Sequence, residues 1–117
     1  LFQNFVYRAL KDSLELGETS LNFWRTKDKA EVDFVLNKWE DVVPVEVKYK
    51  DLRGPEIGRS LHSFIERYRP ARAFVVNKSF AGSHTIGDTE VRFLPFWKIG
   101  EIAEGVHKRI DIINASV

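Results

Sequence analysis

Three residues in two neighbouring stretches of the chain have types and spacing that could do chemistry. Asp33 lies in "EVDFVL", residues 31–36, and Glu46 and Lys48 lie in "VVPVEVKY", residues 42–49. Alternation along a strand places Glu46 and Lys48 on one face. If the strands are neighbours, the carboxylates of Asp33 and Glu46 lie close together, where they repel unless a positive charge lies between them. That charge is either Lys48 or a hard cation such as Mg²⁺, which commonly binds one or two carboxylates and keeps several waters.

A simpler account of the same residues is a solvated outer face. Strands often expose charge, and Glu opposite Lys is a common cross-strand pair. Spacing alone favours this account. The context favours a chemical site, because the stretch after residue 54 reads as a helix that leads back into the sheet. A sheet with a parallel crossover has helices on its faces, and a polar trio that faces a helix rather than water needs a reason.

Apolar periodicity predicts the elements that position these residues. An N-terminal amphipathic helix that ends near Gly17 is indicated by apolar residues at steps of three and four, namely Phe2, Phe5, Val6, Ala9, Leu10 and Leu14. Three meandering strands follow, over residues 21–26, 31–36 and 42–49. Pro44 is tolerable in the third strand at its beginning or where the strand lacks a partner on one side.

The second half of the chain is predicted to return to the same sheet. A helix begins at Pro55 and ends before Pro70, with an apolar stripe formed by Ile57, Leu61, Phe64, Ile65 and Tyr68. Strands over residues 72–77 and 90–97 follow, with a loop over 78–88 between them. The pattern of the tail, residues 98–117, is ambiguous.

This order of elements predicts the fold class α/β, with one mixed sheet flanked by helices in the order α-β-β-β-α-β-β. The crossover through the second helix makes the third and fourth strands parallel and the connection right-handed. A length of 117 residues fits one domain with one core, so we expect a single domain over residues 1–117. Hydrophobic residues at 44% and charged residues at 30% favour a folded chain over a disordered one.

The composition also limits the class of protein. A net charge of +1 does not by itself indicate a nucleic-acid binder. The apolar runs are far shorter than the roughly 20 residues of a membrane span, and no secretory signal is visible. The absence of cysteine excludes disulfides and cysteine metal sites and is compatible with a reducing cytosol, so we expect a cytoplasmic protein. Methionine is absent even at position 1, and we therefore expect a piece of a longer protein.

An acidic residue on the second strand and Glu-x-Lys on the third, within this order of elements, resemble the PD-(D/E)xK nuclease superfamily. Four stretches within residues 1–97 resemble a narrower group, the C-terminal domain of unknown function attached to archaeal and bacterial P-loop ATPases of the AAA type. They read "LFQNFVYRALK", "FWRTKDKAEVDFVL", "VPVEVKYK" and "SLHSFIERYRPARAFVVN". The resemblance implies a restriction-endonuclease-like fold, DNA as a partner and an N-terminal ATPase domain in the same chain.

The resemblance also implies roles for the matching residues. Asp33 and Glu46 would bind Mg²⁺ or Mn²⁺ together with the backbone carbonyl of Val47. Lys48 would orient or help to deprotonate the attacking water and neutralise the charge of the phosphorane. The first helix of the superfamily usually supplies a further Glu, and the matching position here is Gln3. An amide brings no charge and is a poor ligand for Mg²⁺, so Gln3 departs from the catalytic pattern.

Other polar residues have simpler interpretations. Glu31 is a hairpin residue near a turn, and His62, close to Ser60 on the second helix, reads as a surface or half-buried histidine. His84 and His107 fall in the predicted loop and tail, and the sequence has no zinc spacing. Residues 48–72 are locally basic, which fits either a path for a phosphate backbone or a soluble helix face with scattered charge pairs.

Three functions are therefore carried forward. The first is a metal-dependent phosphodiesterase that acts on DNA through Asp33, Glu46 and Lys48. The second is a catalytically degenerate nuclease fold that serves as a nucleic-acid-binding or regulatory module of its ATPase, which Gln3 favours. The third is a homo-oligomerising domain in which exposed Phe and Trp residues within 93–97 are buried between copies.

Overall fold

The computed structural model of the protein describes residues 20–25, 31–38 and 41–102, and the side chains of residues 34–37 and 42–102. The predicted N-terminal helix, with Gln3, and the tail after residue 102, with His107, lie outside these ranges. The described elements, in chain order, are β1 (Ser20–Arg25), β2 (Glu31–Lys38), β3 (Asp41–Val47), α1 (Arg59–Tyr68), β4 (Arg72–Asn77), β5 (Gly82–Ile86), β6 (Thr89–Pro95) and a 3-10 turn (Phe96–Lys98).

All six strands belong to one mixed sheet in the order β1-β2-β3-β4-β6-β5. The first three form an antiparallel meander. β4 is parallel to β3 and to β6, and β5 pairs antiparallel with β6 at the edge. The prediction that the third and fourth strands are parallel across a helix is therefore confirmed. Within the described part of the chain, no helix is long and apolar enough to cross a membrane.

The strand β5 corrects the predicted loop over residues 78–88 and adds one strand to the predicted order. It is joined to β6 by Gly87 and Asp88. Gly87 has φ +58°, the left-handed conformation that a type II′ hairpin turn needs at its first central position. The polar stretch "GSHTI" is exposed almost throughout, so it lacks the apolar alternation of a strand. The dipeptide Gly-Asp between two strands is the signal that could have revealed the hairpin.

Two apolar clusters lie on opposite faces of the sheet, and strand alternation assigns residues to them. On the first face, which we call the α1 face, Val35, Val75 and Phe93 pack against Leu61, Phe64 and Ile65 of α1. On the opposite face, Phe34, Val45, Val76 and Leu94 pack with Ile99 and Ile102 from beyond the 3-10 turn. The strands β3, β4 and β6 are therefore covered on both faces, as expected for parallel strands.

Pro70 and Pro44 occupy the places that the physical chemistry of proline predicts, whereas the predicted helix start at Pro55 is wrong. The helix begins at Arg59 rather than at Pro55, and it ends at Tyr68, before Pro70. Pro44 lies inside β3 opposite Val35, and the described pairing with β4 starts only at Val45. Proline has no N–H to donate, so it occupies the part of β3 that has a strand partner on one side.

Candidate functional site

The carboxyl ends of β3, β4 and β6 meet at one end of the sheet, because these strands are parallel. Val47 pairs with Val76 of β4, and Val76 pairs with Leu94 of β6. We call this region the carboxyl end of the sheet. Ligand sites in open α/β sheets lie outside the carboxyl ends of the strands. The Glu-x-Lys motif, Glu46 to Lys48, is located here, at the end of β3.

Glu46 is a buried carboxylate on the α1 face. Its neighbours Val45 and Val47 pack into the cluster on the opposite face, so alternation directs the Glu46 side chain toward α1. Only 6% of the residue is exposed. A carboxylate at such a depth is stable only if its oxygens are hydrogen-bonded or paired with positive charge.

The first partner of Glu46 is the N-terminus of α1. The backbone N–H of Gly58, the N-cap residue, donates a hydrogen bond of 3.1 Å to Oε2. The N-terminus of a helix carries a partial positive charge, which favours an anion there. An added Cβ at Gly58 would clash with Glu46 Oε1, so the carboxylate packs directly against the glycine backbone.

The second partner of Glu46 is Lys48, whose Nζ lies 3.8 Å from Oε1. The same Nζ lies 3.9 Å from Oε1 of Glu56, and Lys50 Nζ lies 2.6 Å from that Glu56 oxygen. The hydrogen bond from Lys50 is the main cause that lowers the pKa of Glu56; loss of hydration opposes it, and the charges of Lys50 and Lys48 lower the pKa further. The side chains form an alternating row of charges: Glu46, Lys48, Glu56 and Lys50.

Lys48 occupies an intermediate environment between this buried carboxylate and solvent. Its side chain is 18% exposed, and its backbone N–H donates to the carbonyl of Val76 at 2.8 Å. The backbone of the motif is thus fixed by β4, while the ammonium group stays within reach of a molecule at the carboxyl end of the sheet. The structure brings Glu46 and Lys48 together, with the Val47 backbone between them.

Asp33 lies on the backbone of β2, and its side chain is outside the described residues. The last described pair between β2 and β3 is Phe34 with Val45, so Asp33 and Glu46 are the next residues on the two strands. β2 and β3 are neighbours, which is the condition that the sequence analysis set for Asp33 and Glu46 to lie close together. Gln3 falls outside the described residues.

The oxygen donors at the motif have the chemistry of a site for a hard cation. Mg²⁺ prefers carboxylate and carbonyl oxygens and commonly takes one or two carboxylates with several waters. Glu46 and the Val47 carbonyl supply such oxygens, so the donor types fit. Among residues whose side chains the structure describes, no group of three His, Asp or Glu side chains is placed to hold a metal ion. A complete set would need Asp33.

The other polar candidates are two exposed histidines, one buried serine and one glutamate. His62 is half-exposed, with Nδ1 3.3 Å from Oε1 of Glu66 one helical turn later, which confirms the interpretation as a surface histidine. His84 lies on the exposed strand β5 rather than in a loop. Ser60 is buried on α1, and its hydroxyl has no hydrogen-bond partner among the described residues. The side chain of Glu31 lies outside the described residues.

Asn77 is a structural residue that the sequence interpretation missed. It is fully buried at the end of β4, where its Oδ1 accepts hydrogen bonds from the N–H groups of Ser79 at 3.0 Å and Phe80 at 2.6 Å. Its Nδ2 donates to the carbonyls of Phe80 and Leu94. Asparagine directly after a buried strand often forms such a turn, and "VVNKS" carries that signal. Asn77 thereby fixes the loop that follows β4 beside the motif.

A comparison with known proteins finds one matching family, and the function of that family is unknown. A family model described as Domain of unknown function (DUF4143) matches residues 1–99. No curated protein matches the chain. The match spans most of the sequence, including both strands of the candidate site.

Proposed function

Since the chain belongs to the DUF4143 family, whose function is unknown, we propose a function from the site itself: a nuclease-like domain of the PD-(D/E)xK type that hydrolyses phosphodiester bonds in DNA with a divalent metal ion. The proposal includes a restriction-endonuclease-like fold. It is supported by the meander β1-β2-β3, the crossover through α1 to a parallel β4, and a Glu-x-Lys motif at the carboxyl end of β3.

One observation carries the proposal: Glu46, a buried carboxylate, has the Nζ of Lys48 3.8 Å away at the carboxyl end of parallel strands. A buried acid next to a half-buried base, in a region that a ligand can reach, is a combination that functional sites favour. A purely solvated strand face, the simpler account of the sequence, does not describe Glu46, because this residue faces α1 and not water.

In this mechanism Glu46, the Val47 carbonyl and Asp33 would hold Mg²⁺ or Mn²⁺. When bound, the metal lowers the pKa of a water and polarises the scissile phosphate. As an ammonium, Lys48 Nζ orients the attacking water by donating a hydrogen bond to its oxygen, and it offers positive charge to the phosphate oxygens as negative charge develops there; the proton of the water passes to bulk solvent. Gly58 N–H holds Oε2 of Glu46 in place, so that Oε1 is directed toward Lys48.

The test combines metal binding and cleavage. Titration calorimetry with Mn²⁺ should show binding to the parent protein and its loss in Glu46→Gln. Cleavage of a panel of labelled DNAs should fall at least about 100-fold in Lys48→Ala, the scale of removing one group that stabilises transition-state charge. Lys50→Gln is the matched control, because Lys50 is in the same row of charges but pairs with Glu56 rather than Glu46. A parent protein that binds neither Mn²⁺ nor Mg²⁺ would exclude this mechanism.

A second candidate function is a nuclease-like fold without catalysis, serving as a binding or regulatory module of an ATPase domain in the same chain. The observation that favours it is that the charged groups of the motif are already paired within the protein. Glu46 already accepts the Gly58 N–H, and Lys48 lies between Glu46 and Glu56. Gln3 in place of an acid favours it too. DNA cleavage that disappears in Lys48→Ala would exclude this candidate.

A further inference from the structure

Two of the three large apolar side chains that are exposed in the described part of the chain lie at the carboxyl end of the sheet. They are Tyr49, 68% exposed, and Trp97, 62% exposed, while Tyr68, 47% exposed, is at the far end of α1. Tyr49 follows the end of β3 by two residues, and Trp97 follows the end of β6 by two residues. The parallel register through β4 places these strand ends side by side.

One ring has a lysine over it, and the other is followed by a lysine in the sequence. Lys78 Nζ lies 4.9 Å from the centroid of the Tyr49 ring, within the range of a cation–π contact. Its backbone N–H donates to the carbonyl of Lys50 at 3.2 Å, which fixes the loop after β4 against the segment that carries Tyr49. Lys98 follows Trp97 directly. Within the described residues Lys78 and Lys98 form no ion pair, unlike Lys48 and Lys50.

The Trp97 ring contacts Phe96 and remains largely exposed to solvent. Phe96 packs on the core of the opposite face and meets Trp97 edge-on, with ring centroids 5.3 Å apart and planes at 81°. The expected oligomer contact through residues 93–97 is reduced to one exposed ring, because Phe93 is buried in the α1-face cluster and Phe96 is half-buried. Exposed aromatic rings in a positively charged region are the arrangement on which the bases of a single strand stack.

We propose that Tyr49 and Trp97, flanked by Lys78 and Lys98, form a stacking platform for single-stranded nucleic acid. The strands β3 and β6 are separated by β4 alone, which sets their spacing at about 10 Å, so the rings can serve different nucleotides of one strand. The bases of a duplex are stacked on each other and cannot reach such rings. A second copy of the chain fits this surface poorly, since it would bring the lysines of both copies together.

This inference rests on the proposed function for its biological meaning, because the platform lies at the same end of the sheet as Glu46 and Lys48. A strand held on the platform would pass beside the candidate site. The substrate class would then be single-stranded nucleic acid, or the unpaired part of a longer DNA. DNA and RNA share the stacking chemistry, and separate oligothymidine and oligouridine probes distinguish them.

The test measures binding without catalysis. A fluorescein-labelled 20-nucleotide oligothymidine is titrated with the protein in EDTA, and anisotropy gives Kd; oligouridine and a duplex of the same length are run in parallel. We expect the single strands to bind at least tenfold tighter than the duplex. Trp97→Ala and Tyr49→Ala should each weaken binding about tenfold, the scale of one stacked base. Trp97→Phe and Tyr49→Phe keep a ring and should stay within about threefold.

Tyr68→Ala is the matched control, because it removes an exposed aromatic ring at the other end of the sheet and should leave Kd unchanged. Lys78→Gln should reduce the slope of log Kd against log salt by about 0.7, the value for one lost phosphate contact on a single strand. Stacking also quenches tryptophan fluorescence, so oligothymidine should quench the parent and quench Trp97→Phe much less. This readout does not depend on whether an alanine variant folds.

Equal affinity for duplex and single strands, or unchanged Kd in both alanine variants, would overturn the inference. So would light scattering that shows a dimer of the parent and a monomer of Trp97→Ala, because the rings would then bind a second copy. The proposed function can fail independently of this inference. Tight binding of single strands without any metal-dependent cleavage would support the platform and exclude the nuclease mechanism. Cleavage of single-stranded DNA by Trp97→Ala and Tyr49→Ala with the kcat/KM of the parent would retain the nuclease and exclude the platform.

Discussion

The backbone N–H of Gly58 donates a hydrogen bond of 3.1 Å to the carboxylate of Glu46, so the helix α1 starts against the acidic residue of the Glu-x-Lys motif. This contact connects the start of α1 to the candidate site. Glu46 helps to define where α1 begins, four residues after Pro55, and α1 in turn covers the sheet through Leu61, Phe64 and Ile65. A change at either partner should therefore affect both stability and the position of the carboxylate.

Gly58→Ala should destabilise the protein, because an added Cβ would clash with the buried carboxylate oxygen Oε1 of Glu46. Either the carboxylate or the helix end must move. We expect the free energy of unfolding to fall by about 1–3 kcal/mol, the usual range for overpacking, as measured by urea denaturation. Gly54→Ala is the control, since no atom lies within 4 Å of its added Cβ, and it should change stability by less than about 0.5 kcal/mol. An equal fall in the free energy of unfolding for both substitutions would contradict the close approach of the Glu46 carboxylate to Gly58.

Asn77→Ala should be among the more damaging polar substitutions in the chain. It removes the acceptor of two backbone N–H groups, those of Ser79 and Phe80, and leaves a cavity at the end of β4. The loss of these buried hydrogen bonds should lower the free energy of unfolding by about 2–3 kcal/mol and Tm by roughly 10 °C. Asn37→Ala, at a half-buried position of β2 with no described side-chain hydrogen bond, should have a much smaller effect. Similar Tm values for both variants would refute the role of Asn77.

Ser60→Ala should stabilise the protein. The Ser60 hydroxyl is buried in α1 and has no partner among the described residues, so it loses its hydration without compensation. Alanine removes this penalty, of about 1–3 kcal/mol, and has the higher helix propensity, by about 0.5 kcal/mol. The exposed Ser63 on the same helix is the control, since Ser63→Ala gains only the propensity. A gain in Tm no larger at position 60 than at position 63 would show that the hydroxyl is hydrogen-bonded.

The sequence predicted those parts of the fold that depend on apolar alternation, and it failed where side chains are polar on both faces. The strand over residues 72–77 was predicted with its observed bounds, because "RAFVVN" is buried on both faces. β5 was missed because "GSHTI" faces solvent. At the site, alternation placed Glu46 and Lys48 on one side of β3. It could not predict that Gly58 donates to Glu46, because that contact depends on where α1 begins, which Pro55 suggested too early.

Acid should weaken the ion pairs at the end of β3 through Glu56. The hydrogen bond from Lys50 lowers the pKa of Glu56 below its usual 4.5. A lowered pKa in the folded state means that the folded protein holds this proton less tightly than the unfolded chain does. The stability that Glu56 contributes is therefore fully present above pH 4.5 and is lost as the pH falls through the lower, folded-state value.

The measurement is the difference in free energy of unfolding between the parent and Glu56→Gln from pH 7 to pH 3. We expect a difference that is constant above pH 4.5, shrinks below it, and becomes smaller at high salt, because Glu56 is exposed and its charge is screened. In a Lys50→Gln background most of the difference should vanish, since Lys50 is the main partner. Glu90→Gln, an exposed position on β6 without a described ion pair, is the control. A difference that does not change with pH would show that Lys50 and Glu56 do not interact in solution.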